Sequence, residues 1–462
     1  MERNHTALKY WEIIHWDAVS FLTLHDGYNS KLYRGRISPT ILQDAVLFFR
    51  RIFGGVFRFL QMITCSFVLR KQDVILSKRP YLLLITHGIV KYANEEREIC
   101  ESCIKKGLGV FKVYPSAGIC VSTTGQSVPV FSILMPVDYL RAMISWLREV
   151  FSCPKYLFSR DRKARSLFIS AISAIRQHFV YVALTERIVA AHGVPEVMLS
   201  LCPGEATSVT IAGQLKKQGV FTAGMRTQTT SADIEHLAIN TDILFCKSRN
   251  EKSVYAELFA GTGPRLEEAC LLSLPETYQL DPLVLPDKYV LLLGTAPVSN
   301  KDRAGYENFN KKLFSVAEMS GLPIVFKGHN MAVPQDDAWF ASDGRNWSDC
   351  LRITDIRRNR ELIDHAALIV MPASTLLYYA ILRGTPVIIV PAIIDFSIPD
   401  EFQNSPINRI ALQQDIVIER FDLENLRNTV QTAERWFNDN YFLQKGADYI
   451  IDFLLREASV SA

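Results

Sequence analysis

The reading of the fold turns on Asp364–Pro391, Asp-His-Ala-Ala-Leu-Ile-Val-Met-Pro-Ala-Ser-Thr-Leu-Leu-Tyr-Tyr-Ala-Ile-Leu-Arg-Gly-Thr-Pro-Val-Ile-Ile-Val-Pro. Ala367–Met371 is an apolar run of strand length, Pro372-Ala373-Ser374 turns the chain, and Thr375–Leu382 has helical spacing. Gly384 stops the helix, and Val387–Val390 is a second apolar strand. With so little slack between them, the two strands are expected to be parallel and joined by a right-handed crossover. The loop between the first strand and the helix carries Ser374 and Thr375, whose hydroxyls and free backbone N–H groups suit an anion.

The same alternation extends back from this unit. Tyr289–Leu293, Ile324–Phe326 and Leu351–Thr354 read as strands, with helices at Asn308–Ser320 and Arg358–Ala366 between them and the opening unit. An earlier series begins at Tyr81–Ile85. It continues through a helix at Asn94–Lys106 and strands at Val110–Val113, Val128–Leu134, Val197–Cys202, Val220–Met225 and Ile243–Cys246. Helices are expected at Val137–Val150, Ser166–Ala191, Ala206–Gln218 and Lys252–Phe259, and two close the chain near Leu423–Phe437 and Tyr441–Arg456. The expected organisation is a helical segment over 1–75, a first Rossmann-like unit over 76–265, and a linker over 266–286. A second Rossmann-like unit spans 287–440, and a final helix 441–462. The fold class is therefore α/β: two Rossmann-like parallel-sheet domains facing across a cleft.

Composition narrows the function classes. The chain has 462 residues, long enough for two ordinary domains, and its 48% apolar and 21% charged content is that of a soluble globular protein. A net charge of +3 does not point to nucleic acid. Nine cysteines without a pairing pattern fit a reducing, cytoplasmic setting. Cys100 and Cys103 form a lone CxxC on a helix, which reads as two small residues packed on the core because no second ligand pair accompanies it. The first twenty residues lack the clean apolar core of a secretory signal, and no run reaches the ~20 apolar residues of a membrane span. Ile41–Leu69 comes nearest. Its Asp44, Arg51 and Arg58 fall on one stripe of an otherwise apolar helix, which suits burial in the protein or contact with an anionic leaflet. The basic run Lys155–Arg165 reads as a solvated helix end or as a patch for acidic lipid or a polyanionic acceptor.

In an open parallel sheet ligands bind beyond the carboxyl ends of the strands. In the second series those loops carry Gly294-Thr295, Lys327-Gly328-His329, Thr354-Asp355 and Ser374-Thr375; in the first, His87-Gly88, Gly204-Glu205, and Arg226 with Gln228. One wall is rich in cationic and N–H donors suited to a nucleotide phosphate, and the other offers a carboxylate and an imidazole suited to proton transfer. No Asp-x-Asp stands at a strand end and no HExxH is present, so the reading calls for no metal; Asp336-Asp337 reads as part of a surface loop. Further cations for phosphate are available at Arg352, Arg357, Arg358 and Arg360.

At these residues the sequence resembles the GT-B glycosyltransferases of the bacterial surface-polysaccharide branch, which includes capsule, lipopolysaccharide and polyol-phosphate transferases. The resemblance is clearest over Lys288–Pro391 and weaker over Val197–Gly261. The branch's Lys-Pro-His-Pro-like loop stands here as Lys327-Gly328-His329-Asn330, and its Ser-Ser/Thr loop and Gly-x-Pro-Val-Ile helix end stand as Ser374-Thr375 and Gly384-Thr385-Pro386-Val387-Ile388. Where many relatives hold the donor ribose with a Glu, this chain has Tyr379, and Met225-Arg226-Thr227-Gln228 replaces a Gln-His-Gly motif. The resemblance implies a first, acceptor-binding unit and a second, donor-binding one. Gly294, Thr295, Lys327, His329, Ser374, Thr375 and Tyr379 would line the donor site, with Glu205 or His87 as the base that deprotonates the acceptor. It implies no cofactor; the donor is a CMP-, CDP- or UDP-linked sugar and the acceptor a surface glycan or its lipid-linked precursor. Two alternatives stay open: a nucleotide-sugar epimerase of the same fold, and an inactive module that assists polysaccharide assembly or export. A dinucleotide-dependent oxidoreductase is disfavoured because neither series opens with G-x-G-x-x-G.

Overall fold

The computed structural model describes residues 41–69, 80–86, 93–114, 119–122, 127–129, 133–152, 162–227, 239–259, 261, 263–272, 274–275, 277–295, 303–329, 332–344, 350–372, 374–390, 402, 405–406 and 423–461. Two sheets organise them, as the α/β reading expected. The first has eight strands in the order β4-β3-β2-β1-β5-β6-β7-β8. These are β1 (Tyr81–Ile85), β2 (Gly109–Tyr114), β3 (Ile119–Ser122), β4 (Ser127–Pro129), β5 (Val197–Ser200), β6 (Phe221–Met225), β7 (Ile243–Cys246) and β8 (Arg265–Glu268). From β2 to β8 the pairing is parallel, whereas β3 and β4 join one edge antiparallel. The strand expected at Val128–Leu134 is thus the short β4 of a mixed edge.

The strands are apolar on both faces because both are covered. Tyr81, Leu83 and Ile85 of β1 enter one core with α1 (Ile41–Leu69), α3 (Pro136–Ser152), α4 (Arg162–His192) and α5 (Ala206–Lys216). Leu82 and Leu84 enter the other with α2 (Ala93–Lys105) and the last helix, α12 (Ala447–Ser461). Cys103 of α2 is fully buried there, and burial pushes its thiol up to about 12, so it packs as a protonated small side chain. Helix α6 (Arg249–Phe259) covers the β7–β8 edge through Tyr255 and Phe259.

The second sheet has the order β11-β10-β9-β12-β13, all parallel. Its strands are β9 (Val290–Leu293), β10 (Ile324–Lys327), β11 (Leu351–Ile353), β12 (Leu368–Met371) and β13 (Val387–Ile389). Alternate residues of β9 and β12 divide between two cores. Leu291 and Ile369 meet α9 (Asn359–His365), α10 (Leu376–Leu382) and α11 (Leu423–Asn440) on one face. Val290 and Leu368 meet α7 (Arg303–Glu318) and α8 (Val333–Ser342) on the other. Helix α8 replaces the surface loop expected around Asp336-Asp337: Pro334 enters its first turn, and Asp336 and Trp339 point into the core.

The chain joins the two sheets through buried polar chemistry. Lys247 and Glu251, both 0% exposed in their side chains, bind each other twice: Nζ donates to Oε1 at 2.6 Å and the Lys247 backbone N–H to Oε2 at 2.6 Å. The Lys247 carbonyl accepts from the Phe442 N–H at 3.0 Å, and the Cys270 N–H donates to the Lys445 carbonyl at 2.9 Å. The pair therefore stands where the return from α11 to α12 crosses the end of β7. Removing one partner strands a buried charge, so Glu251→Leu is expected to lower stability by about 3–5 kcal/mol in urea unfolding, with Lys247→Met/Glu251→Leu recovering most of it. A single variant as stable as the wild type contradicts this account.

Candidate functional site

Strand order assembles the site. Because β9 lies between β10 and β12 and all three are parallel, the loops that follow them leave the same edge side by side. Those loops include Gly294-Thr295, Gly328-His329, and Pro372 with Ser374-Thr375. The Gly294 N–H donates to the Lys327 carbonyl at 2.9 Å. A Cβ on Gly294 would lie 3.2 Å from the Gly328 Cα and 3.3 Å from the His329 nitrogen, so the first two loops touch through backbone. In the third, the Ser374 hydroxyl accepts from the Leu376 N–H at 3.4 Å, a long capping contact. Thr375 occupies the N-cap of α10 without a side-chain capping bond. Both residues are half-buried.

Lys327 is less open than expected. It is 6% exposed and its Nζ donates to the Gly328 carbonyl at 2.8 Å. Burial lowers its pKa to about 8, while Asp355 and Asp336 act in the opposite direction. His329 is half-buried, and its carbonyl accepts the Ala332 N–H at 2.8 Å to close the turn into α8.

Behind this loop lies a buried polar group that the sequence reading placed at the surface. Asp336 is 1% exposed, its Oδ1 accepts the Tyr306 hydroxyl, and its Oδ2 has no hydrogen-bond partner. A Cβ on Gly328 would come within 2.7 Å of that Oδ2, so position 328 has no room for a side chain. Burial raises the Asp336 carboxyl to about 6, opposed by the Tyr306 hydrogen bond and by Arg352. Asn310 is also fully buried, with its side chain beside the Tyr306 hydroxyl. The sequence cue was Pro334 followed by Asp336 and Asp337, the pattern of a helix N-terminus.

Tyr379 is held by a polar contact of its own. Its hydroxyl donates to Asp364 Oδ1 at 2.7 Å, and the same oxygen meets Arg383 Nε at 2.7 Å. The Arg360 guanidinium lies 5.4 Å from its ring centroid. Asp364 lies in the last turn of α9, ahead of β12, so this hydroxyl bonds on the side of the sheet where β12 begins. The resemblance implied that Tyr379 lines the donor site; in the structure its hydroxyl is engaged by Asp364. Arg360 and Asp364 also border a cavity of about 220 Å³ between residues 277–280 and α9, apart from the loop group.

On the first sheet, Glu205 is half-buried at the N-cap of α5 in extended backbone (φ −75°, ψ 143°), and its side chain does not cap the helix. It stands above a tight polar cluster at the end of β5. The Ser200 hydroxyl bonds that of Ser208 at 2.8 Å and accepts the Cys202 N–H at 3.1 Å. Burial first, and the Glu205 charge second, hold the Cys202 thiol well above its ordinary range, so it stays protonated. Ser200 and Cys202 gave no sequence signal beyond strand-end position. Arg226 is half-buried at the end of β6, while Gln228 and His87 lie outside the described residues. Among the described residues, no group of three His, Cys, Asp or Glu side chains is placed to hold a metal ion.

No family model matches the chain, and no curated protein matches it. Solved structures with a similar path include S. aureus MnaA with UDP (11% identity, 83% of this chain and 97% of that one, TM-score 0.46). The UDP-GlcNAc 2-epimerase of Methanocaldococcus jannaschii with UDP-GlcNAc and UDP shares 14% identity over 81% of this chain and 98% of its own, at a TM-score of 0.44. The glycosyltransferase SnogD of Streptomyces nogalater shares 10% over 83% and 100%, at 0.46. Likeness at this level concerns the two-sheet α/β architecture.

The Asp336 carboxyl supplies a pH test. Its folded pKa lies above the ordinary 3.8, so the fold favours the protonated form. Its contribution is complete below about pH 4, falls as pH rises through about 6, and is level above that. Asp336→Asn is expected to remove this decline, which amounts to roughly 3 kcal/mol at most. Thermal midpoints of the two proteins across that range check it; parallel profiles refute it.

Proposed function

We propose that this chain is a glycosyltransferase that moves a sugar from a nucleotide-activated donor to a surface-glycan or lipid-linked acceptor. The observation that carries the reading is the convergence of Gly294-Thr295, Lys327–His329 and Ser374-Thr375 on one edge of the second sheet. Backbone N–H groups, two hydroxyls, an imidazole and a cation gathered at strand ends suit the phosphates of a nucleotide. The His329 ring and the Ser374 and Thr375 hydroxyls contact the donor phosphate. Lys327, already held by the Gly328 carbonyl, sets the loop and adds positive charge from behind.

On the other side, Glu205 is the base. Its carboxylate stands at the N-cap of α5 beside the Cys202 thiol, and as base it takes a proton from an acceptor hydroxyl as the hydroxyl attacks the anomeric carbon and the nucleotide departs. His87, which follows β1, is the second candidate for that proton. The donor is a CMP-, CDP- or UDP-linked sugar, with a lean to the cytidine nucleotides from the His and Ser loops, and no cofactor takes part. A lipid-linked acceptor puts the working enzyme at the inner face of the plasma membrane as a peripheral protein.

Thermal-shift titration with CMP, CDP, UDP, GDP and TDP is expected to give stabilisation by one of the first three, and at least about a tenfold weaker response in His329→Ala. Glu205→Gln is expected to keep that stabilisation and to lose nucleotide release from the donor sugar in the presence of acceptor. No stabilisation by any nucleotide supports the inactive module instead. Epimerised donor formed without acceptor supports the epimerase.

A further inference from the structure

Helix α1 packs by one face only. Phe48, Ile52, Phe59 and Ser66 are buried at helical spacing against α3 and α4, and Gly55 meets the Trp146 ring. The opposite face carries Phe49, Phe53, Phe57 and Leu60, also at helical spacing, and all four are exposed; Phe53 and Phe57 are 70% and 61% open. Helix α3 repeats the pattern with Val137, Leu140, Ile144 and Phe151. The two stripes adjoin at Phe48, whose ring lies edge-on to both Phe49 (5.5 Å) and Phe151 (6.2 Å). Scattered exposed apolar side chains are ordinary on a soluble protein; two adjoining aromatic and aliphatic stripes are not.

The charge along α1 is cationic, whereas α3 balances two arginines with the half-buried Asp138 and Glu149. Arg50 and Arg58 of α1, and Arg141 and Arg148 of α3, are exposed along the stripes, and no acidic residue occurs in α1 after Asp44. A second observation points to an anion. Arg176 of α4 is 7% exposed and has no ion-pair or hydrogen-bond partner among the described residues, and the charge near it is another cation, Arg58. Arg176 and Arg58 thus place two like charges close together beneath this face, which adds to its positive character.

We infer that the α1–α3 face docks on an anionic membrane surface. The rings of Phe49, Phe53, Phe57 and Phe151 enter the boundary between headgroups and acyl chains, and the arginines meet lipid phosphates. The contact is interfacial: among the described residues, no helix is long and apolar enough to cross a membrane. The surface fits the proposed lipid-linked acceptor but does not rest on sugar transfer, because it lies on the helical cover of the first sheet, away from the second-sheet loops.

The test is co-sedimentation of the full chain, without nucleotide, with phosphatidylcholine vesicles and with vesicles carrying about 30 mol% phosphatidylglycerol. Wild-type protein is expected to pellet with the anionic vesicles and to be released by ~0.5 M salt. Phe53→Ser/Phe57→Ser alters only exposed side chains, and an unchanged thermal midpoint verifies the fold; it is expected to bind at least about tenfold more weakly. Arg50→Glu/Arg58→Glu is expected to lose the preference for anionic vesicles. The inference is overturned if wild-type protein stays in the supernatant with both vesicles, or if both variants pellet as wild type does. It is overturned equally if the wild type is a dimer that Phe53→Ser/Phe57→Ser converts to monomer, since a second copy then covers the face. Nucleotide stabilisation, measured separately, tells whether the transferase reading stands or falls with it.

Discussion

Strand β9 is hydrogen-bonded on both sides, to β10 and to β12, and both pairings are parallel. Parallel pairing fixes where the chain can turn. Each strand must be followed by a crossover, and each crossover must begin at the same edge. Lys327–His329 and Ser374-Thr375 are separated by more than forty residues of sequence, yet adjacent strand ends hold them on either side of Gly294-Thr295. The site is a consequence of register: Leu291 lies opposite both Val325 and Ile369, so the three strands end level and their loops leave at one height.

Within that frame the Lys-Gly-His loop rests on buried charge. Lys327 is nearly closed off and binds its own neighbour's carbonyl, while Asp336 stands behind Gly328 with one oxygen unpaired. Burial disfavours the charged form of each, lowering the lysine and raising the acid. Each also favours the other's charged form, a coupling that water would largely screen at the surface. The loop's shape is therefore tied to a local electrostatic balance, and the missing side chain at 328 is part of it.

The fold was legible where burial dominates. Leu-Ile-Val-Met and Val-Ile-Ile are continuous apolar runs because both faces of the second sheet are covered, and such runs announce themselves. Arg265-Leu-Glu-Glu did not, since β8 is an edge strand whose half-exposed side chains find Lys252, Lys445 and Glu457 as ion partners. Its strand character comes from pairing with β7 and not from its own pattern. Helix α8 was missed for a related reason: an Asp-Asp pair reads as surface unless Tyr306 is known to reach it. For Tyr379 the position on α10 could be read from sequence. The direction of its hydroxyl depends on Asp364 and Arg383, brought together only by packing. Helix α1 was read either as buried in the protein or as lying on an anionic leaflet; the structure buries one of its faces and leaves the other exposed.

Helix α12 has a consequence for how the chain is made. Its Ile450, Ile451, Phe453 and Leu454 lie against Leu82, Leu84, Val197 and Phe245, strands synthesised some two hundred residues or more earlier. The first sheet can pair all its strands while the ribosome is still building the second, but one of its faces lacks this cover until α12 emerges. For that interval a broad apolar surface is open to any other chain nearby, which makes it a natural place for a chaperone to bind.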